Sequence, residues 1–246
     1  MRIMTEMMEM AGNLNILKNN SLIIKRIIFL SVLLFIQFHI MLSQQKDFKL
    51  WTGVKVKTEL FNTVDLFVEE QLRLKSNATI IDKYFTEVGL GYDITDNIDF
   101  SIFYRYTRQN YTIGPYIPKH RFYTDLSYKK NIRRFKASLR SRYESKDYVN
   151  NDREENFYSG NYSRNKFAVE YAHRKYPLAF SIANEWFYQI NKRQKDKFDQ
   201  VRIEFGLEYI INAKNGISIS YKIDNEINVE FPENNYILQI GYSYDW

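Results

Sequence analysis

The chain has 246 residues, with 35 Lys and Arg, 29 Asp and Glu, no Cys and 17 % aromatic residues. The aromatic content excludes a disordered or low-complexity chain. The lack of Cys excludes a disulfide scaffold, a Cys-ligated zinc site, a cysteine nucleophile and an N-terminal lipid-modified cysteine. The formal net charge of +6 is spread without a basic block, so we expect no nucleic-acid partner.

Residues 1–43 have the pattern of an export signal. The basic pair Lys25-Arg26 precedes the uncharged run 27–42, and a short polar stretch follows it. This three-part layout is typical of a secretory signal peptide, and the run is short of the roughly 20 apolar residues of a bilayer-spanning helix. Its poor cleavage site keeps an uncleaved anchor open as the alternative. We expect a start codon downstream of the first Met, and a folded domain over 44–246.

From residue 46 onward, apolar side chains occupy every second position in stretches of 11 to 15 residues. In one of them, Ile98, Phe100 and Ile102 alternate with Asp99 and Ser101. A period of two places each set on one face of a strand, and no stretch keeps a helical period. The predicted strands are 48–60, 63–75, 81–93, 97–110, 119–130, 132–145, 160–173, 177–191, 197–211, 215–229 and 234–246.

The connections between these strands alternate in length. Short connections are predicted near residues 62, 93–97, 131, 175–177 and 212–215, and mostly longer polar ones near 76–80, 110–118, 145–159 and 191–196. Tight turns on one side and longer loops on the other indicate a single antiparallel up-and-down β-barrel.

Periodicity leaves open whether the apolar face lies inside a soluble barrel or outside, against lipid. Strands of this length fit the ~9–11 residues that cross a bilayer, plus overhang, whereas soluble strands average about 5–6. Burying ten Tyr hydroxyls in a dry core would cost about 1–3 kcal/mol for each one left unpaired, whereas water and lipid headgroups satisfy them at a membrane surface. The ten are Tyr104, Tyr106, Tyr128, Tyr143, Tyr171, Tyr188, Tyr209, Tyr221, Tyr242 and Tyr244.

The last predicted strand alternates most regularly and ends on an aromatic residue. Its residues Tyr242, Tyr244 and Trp246 resemble the assembly signal at the end of bacterial outer-membrane barrels. Together with the export signal, this favours an integral outer-membrane barrel of a Gram-negative bacterium, with outer-membrane lipid and the barrel-assembly machinery as partners.

The strand count conflicts with this interpretation, because single-chain bacterial barrels have an even number of strands and the pattern gives eleven. If residue 246 lies on the periplasmic side, every tight turn is periplasmic, but the first strand then runs in the wrong direction. Either a twelfth strand lies in the leader or a loop, or residues 48–60 do not form a full strand. The sequence therefore predicts ten to twelve strands.

Six short motifs, taken in order, carry a resemblance to a known family. They are Leu50-Trp51-Thr52, Glu69-Glu70-Gln71-Leu72-Arg73, Gly89-Leu90-Gly91-Tyr92, Tyr104-Arg105-Tyr106, Leu139-Arg140-Ser141-Arg142-Tyr143-Glu144 and Gly206-Leu207-Glu208-Tyr209. The chain resembles an uncharacterised family of Bacteroidota outer-membrane β-barrel proteins, a domain of unknown function, over nearly the whole length after the leader. The match weakens at 161–166. The resemblance implies the fold and the location but no established activity.

The face opposite the apolar one carries nearly balanced acids and bases. We take ten of them as a candidate lumen cluster: Glu69, Arg73, Glu87, Arg105, Arg140, Arg142, Glu170, Glu185, Arg202 and Glu204. One interpretation is a ladder of cross-strand ion pairs that fills a narrow barrel. The other is a narrow path or cavity for a small polar or anionic solute. Its carboxylate or phosphate would meet guanidinium groups.

Catalytic interpretations have less support. Outside the leader the chain has only His120 and His173, and no Ser motif accompanies either of them. A lipid hydrolase needs a His beside its nucleophile. Glu69 and Glu70 point to opposite faces of one strand and cannot act as a glycosidase pair. We therefore predict no catalytic residue, no metal site and no cofactor.

The sequence predicts an outer-membrane β-barrel that acts as a narrow pore or polar-solute binder. A purely structural envelope protein and an outer-membrane lipid-modifying enzyme are the alternatives.

Overall fold

The computed structural model describes residues 45–110, 116–148, 160–190 and 197–246, without the side chains of residues 45 and 146–148. Its strands close into one barrel, which confirms the predicted all-β barrel. They are β1 (Gln45–Phe61), β2 (Val64–Lys75), β3 (Ile80–Thr95), β4 (Ile98–Gln109), β5 (Ile117–Ile132), β6 (Phe135–Tyr148), β7 (Gly160–Ala172), β8 (Leu178–Ile190), β9 (Lys197–Asn212), β10 (Asn215–Glu226) and β11 (Glu233–Asp245). The export segment predicted over 1–43 lies outside the described residues. No helix in the described ranges is long and apolar enough to cross a membrane.

The ring closes through a parallel pair. β1 and β11 run side by side from Gln45↔Glu233 to Lys57↔Asp245, whereas every other neighbouring pair is antiparallel. An odd number of up-and-down strands leaves the first and the last pointing the same way, so the expectation of a purely antiparallel barrel is wrong at this one seam. Both explanations of the odd count are also wrong, because β1 is a full strand of 17 residues and the closed ring has no place for a twelfth.

The connections follow the predicted alternation. Those after β1, β3, β5 and β9 have two residues each and the one after β7 has five, while the connections at the other end run from four residues after β2 to eleven after β6. The sixth strand begins at Phe135 rather than at residue 132, because Ile132 pairs with Phe135 around a two-residue turn. Arg133 takes a positive φ of 57° in that turn, which a tight hairpin requires.

The apolar face lies on the outside of the barrel. Val88, Leu90, Ile102, Phe122 and Leu126 are between 42 and 54 % exposed. The large apolar side chains of a water-soluble barrel would be buried in its core. This outward apolar surface is the arrangement of a barrel that hydrocarbon surrounds.

One inner-face glycine is required by packing. A Cβ on Gly89 would lie 2.1 Å from the ring of Phe103, its partner on β4. The Phe103 ring also stacks on Tyr123 of β5, with the ring centroids 4.7 Å apart. Gly89 in the motif Gly-Leu-Gly-Tyr therefore makes room for an aromatic stack inside the barrel.

The parallel seam can be tested by crosslinking, because the chain has no Cys of its own. Thr52 and Ile240 are register partners across β1 and β11. In the double variant Thr52→Cys/Ile240→Cys we expect mild oxidation to form a disulfide, since paired residues of adjacent strands lie within the ~4.4–6.8 Å Cα separation that a disulfide spans. Non-reducing electrophoresis of boiled membranes detects the faster-migrating crosslinked chain.

The matched control is Thr52→Cys/Ile219→Cys. Ile219 pairs with Ile240 on the far side of β11, so its thiol is two strands from residue 52, about 9–10 Å away, and forms no disulfide. A strand between β1 and β11 would contradict the seam and would show as no crosslink in the first variant.

The outward orientation of the apolar face can be tested at Ile102, near the middle of β4. We expect Ile102→Arg to lower the free energy of unfolding by about 2–4 kcal/mol, because it places a guanidinium in the bilayer core. Ile102→Leu keeps the site apolar and serves as the control. Denaturant unfolding in lipid vesicles measures both variants, and equal stability of Ile102→Arg and wild type would overturn the assignment of this face.

Candidate functional site: the charged lumen

The inner face of the barrel carries the ionisable side chains. Because successive residues of a strand alternate between faces, the antiparallel register aligns inward positions of neighbouring strands, as in Glu69↔Glu87↔Arg105. The structure places all ten residues of the candidate lumen cluster on this face. Glu87 and Glu185 are only 5 and 3 % exposed.

Among the described residues, four arginines of the lumen have the guanidinium carbon within 4.4 Å of an aromatic ring centre. The guanidinium carbon is 3.6 Å from the ring centre of Trp51 for Arg73, 3.8 Å from Phe85 for Arg105, 3.8 Å from Tyr123 for Arg142 and 4.4 Å from Phe187 for Arg164. A ring that covers the guanidinium face leaves the N–H donors at its edge free to bind oxygen atoms. The stacked rings therefore hold the guanidinium groups in fixed orientations.

Glu185 of β8 is the centre of an ion-pair network. Its carboxylate lies 2.6 Å from Arg140, 3.0 Å from Arg164 and 3.8 Å from Arg202. These three arginines come from β6, β7 and β9, and β6 is not adjacent to β8 in the ring. One buried carboxylate thus ties together four strands across the lumen.

The network continues on both sides of Glu185. Arg164 also contacts Glu144 at 3.2 Å. Arg202 donates two hydrogen bonds to Asp224, at 2.5 and 2.6 Å. Bidentate pairs of this kind fix both the direction and the distance of the guanidinium.

Four further ion pairs lie beside this network. Arg142 donates two hydrogen bonds of 2.7 Å to Asp125, and Arg105 donates one of 2.5 Å to Glu87. Glu204 binds two lysines, Lys166 at 2.8 Å and Lys222 at 3.2 Å. Most of the predicted cluster is therefore engaged in ion pairs inside the protein.

Three members of the cluster lie apart from this network. Among the described residues, Glu170 forms one ion pair, with Lys136 at 3.5 Å, whose side chain is 44 % exposed. Glu69 accepts a hydrogen bond of 3.2 Å from the amide of Gln71, and the same Gln71 side chain accepts one of 2.5 Å from Arg73. In the part of the chain that the structure describes, neither Glu69 nor Arg73 has an ion-pair partner within 4 Å.

The sequence interpretation missed several inner-face residues. Trp51, Phe85 and Tyr123 are buried in the lumen, and Asp125 is the bidentate partner of Arg142. The spacing of these residues in the sequence indicates that they face inward. Phe85 precedes Glu87 by two residues, and Asp125 follows Tyr123 by two. Residues that share the parity of the charged positions share their face.

The two histidines contact aromatic and backbone groups. Nδ1 of His120 lies 2.7 Å from the hydroxyl of Tyr104, on the outer face. Nδ1 of His173 accepts hydrogen bonds from the backbone N–H groups of Lys175 and Tyr176, in the turn after β7. The described residues contain no group of His, Asp and Glu that could hold a metal ion.

Comparison with known proteins agrees with the geometry. A family model described as "Protein of unknown function (DUF2490)" matches residues 48–235. No curated protein matches the chain. A solved structure described as the NanC porin aligns over 81 % of this chain and 99 % of its own, with a TM-score of 0.52 and 18 % sequence identity.

Two other solved barrels align less well. OmpT of Vibrio cholerae gives a TM-score of 0.39 with 11 % identity over 66 % of this chain and 54 % of its own. The β domain of the Bordetella autotransporter BrkA gives 0.43 with 7 % identity, over 76 and 85 %. The porin similarity establishes a shared fold. Together with the outward apolar face, it makes this chain an integral outer-membrane β-barrel.

The role of Glu185 as the centre of the network predicts a large effect on stability. We expect Glu185→Gln to lower the free energy of unfolding by about 3–5 kcal/mol, because it leaves buried guanidinium groups without their shared counter-charge. The control is Asp99→Asn, which removes the carboxylate of the Asp99–Lys129 pair at a strand end, where Lys129 is 49 % exposed. It should cost at most about 1 kcal/mol. Denaturant unfolding in vesicles compares them, and equal losses would contradict the assigned role of Glu185.

Proposed function

We propose that this chain, which belongs to the DUF2490 family of proteins of unknown function, forms a narrow pore or binding cavity in the outer membrane for small polar solutes. The proposed pore or cavity favours solutes with an anionic group. Passage along the barrel axis would bring such a solute past the arginines of the inner wall.

The observation that carries this proposal is the unpaired guanidinium of Arg73 on the inner wall. Its guanidinium carbon lies over Trp51, 3.6 Å from the ring centre, and its Nε–H donates a hydrogen bond of 2.5 Å to Oε1 of Gln71. Among the described residues no carboxylate lies within 4 Å of it. A positioned guanidinium with unused donors is suited to bind a carboxylate or phosphate in a bidentate manner.

The electrostatic surroundings of Arg73 also favour an anion. The largest Coulombic influences on it are the like charges of Arg105, Arg202 and Arg121, and the opposite charge of Glu69 has a smaller effect. An anion beside Arg73 would relieve the repulsion among these arginines. Elsewhere in the lumen, within the network of Glu185, the Nε of Arg140 is buried without a hydrogen-bond partner among the described residues.

The strand number fits a narrow lumen. Eight strands give an interior that side chains fill, and sixteen leave an aqueous channel. Eleven strands lie between these limits, and the ion pairs around Glu185 occupy part of the space. We therefore propose a constriction that selects by charge and size rather than a wide diffusion pore.

The proposal includes the export, membrane insertion and lipid partners that the sequence predicts. The chain would be exported with its leader removed, inserted by the barrel-assembly machinery and surrounded by outer-membrane lipid. Its origin in the Bacteroidota stays a prediction from the sequence resemblance.

Arg73 can be tested by conductance. In planar bilayers we expect discrete, small, anion-preferring currents from the purified protein. Arg73→Gln should lower the chloride-to-potassium permeability ratio about two- to fivefold, because one charge lining a narrow lumen contributes roughly 1 kcal/mol to the energy of a passing ion. The reversal potential in a salt gradient measures this ratio.

The matched control is Arg108→Gln, which removes an exposed arginine from the outer face of β4. It should leave the ratio unchanged. Electrophoresis with and without boiling confirms that both variants are folded. Folded protein that conducts no ions would contradict the pore and favour a structural envelope role, while currents without anion preference would contradict the role of Arg73.

A further inference from the structure

One carboxylate lies on the lipid-facing wall of the barrel. Glu70 of β2 occupies an outward position, and the residues two and four positions away on either side are Leu or Val. Its carboxylate accepts a hydrogen bond of 2.5 Å from the hydroxyl of Thr86 on β3. Among the described residues no cation lies within 4 Å of it. An ionisable side chain on a surface that lipid covers is costly, so it points to a functional site that includes a partner for the charge.

Glu70 lines a groove of about 540 Å³ on the outer wall, beside the parallel seam. The floor of this seam groove is β1, which presents the short side chains of Thr52 and Val54 there. Longer side chains of the neighbouring strands form its walls, and they are Leu72, Tyr84, Ile217, Ile240 and Tyr242. These wall residues are between 37 and 44 % exposed, so the seam groove is open to the surrounding bilayer.

The rest of the lining leaves the charge of Glu70 unbalanced. None of the described residues that line the seam groove is Lys, Arg or His. The hydroxyl groups of Thr52 and Tyr84 are further polar groups of the lining, and most of its other side chains are apolar. An acyl chain can lie along the apolar side chains, while the carboxylate attracts a cation and repels an anion.

The height of Glu70 in the wall suits contact with a lipid head group. Glu70 is five residues from Lys75, where β2 ends on the side with the longer loops. Tyr84 pairs with Leu72 and so lies two residues nearer to that end than Glu70. Tyr side chains are enriched at the membrane–water interface, and two residues of a tilted strand span about 5 Å of bilayer thickness. Since the longer loops of outer-membrane barrels are extracellular, Glu70 is within reach of head groups of the outer leaflet.

We infer that the seam groove binds one lipid molecule whose head group carries an ammonium ion. The ammonium donates a charge-assisted hydrogen bond to the carboxylate of Glu70, which supplies the counter-charge that the described residues lack. An acyl chain of the same lipid lies over Val54, between the walls. The seam groove is on the outer wall, so this inference does not depend on the proposed pore.

The test compares two lipids with the same acyl chains on the full-length folded protein. Dioleoyl phosphatidylethanolamine has an ammonium group, and dioleoyl phosphatidylglycerol has hydroxyl groups in its place. Native mass spectrometry from detergent micelles measures how much of each lipid the protein retains. We expect the wild type to bind one phosphatidylethanolamine about five- to tenfold more tightly than phosphatidylglycerol, because one charge-assisted contact distinguishes the two lipids.

Two variants and a control complete the design. Glu70→Gln should reduce the preference to less than about twofold, because it removes the charge at nearly constant shape. Thr52→Phe should weaken the binding of both lipids by filling the floor of the seam groove. Glu59→Gln makes the same chemical change near the end of β1, outside the groove, and should keep the preference of the wild type. Migration before boiling first shows that each variant is folded.

Three results would overturn the inference. Equal affinity of the wild type for the two lipids, or an unchanged preference in Glu70→Gln, would exclude an ammonium contact at Glu70. Undiminished binding of phosphatidylethanolamine by Thr52→Phe would place the bound lipid elsewhere on the barrel. A lipid-free dimer that dissociates in Glu70→Gln would assign the seam groove to a second copy of the chain instead.

Discussion

The structure depends on one constraint, which is that no backbone N–H or C=O group can remain unpaired in hydrocarbon. Only a closed ring of strands satisfies all of them, because an open sheet has two edges. Eleven strands joined by tight turns and loops must then close through β1 and β11, which point the same way. The parallel seam is therefore a consequence of closure, and the slanted hydrogen bonds of a parallel pair cost less than two unpaired edges would.

Closure in lipid also decides what lies inside. Once hydrocarbon covers the apolar face, the charged face encloses the lumen, and carboxylates such as Glu185 become as buried as core residues of a soluble protein. A buried charge is tolerated only when it is paired and hydrogen-bonded. The network of Glu185 with three arginines meets this requirement, and the aromatic rings that cover the guanidinium faces complete it.

The charges of the lumen are not all paired with one another. Glu185 and the three arginines around it form one network, whereas the guanidinium of Arg73 has no carboxylate within 4 Å among the described residues. A guanidinium with unused donors on the inner wall is the physical basis of the proposed preference for solutes with an anionic group.

The sequence by itself determined the period of two, a barrel of ten to twelve strands, the inward direction of the charged positions and the outward direction of the alternating apolar side chains. These follow from local alternation and from the energetic cost of leaving Tyr hydroxyls unpaired. Only the tertiary structure decided how the ring closes, that Asp125 rather than a more distant acid pairs with Arg142, and that Trp51 and Phe85 lie inside beneath arginines. Strand register and contacts across the lumen bring together residues that are far apart in sequence. A local pattern does not show which of these residues will be in contact.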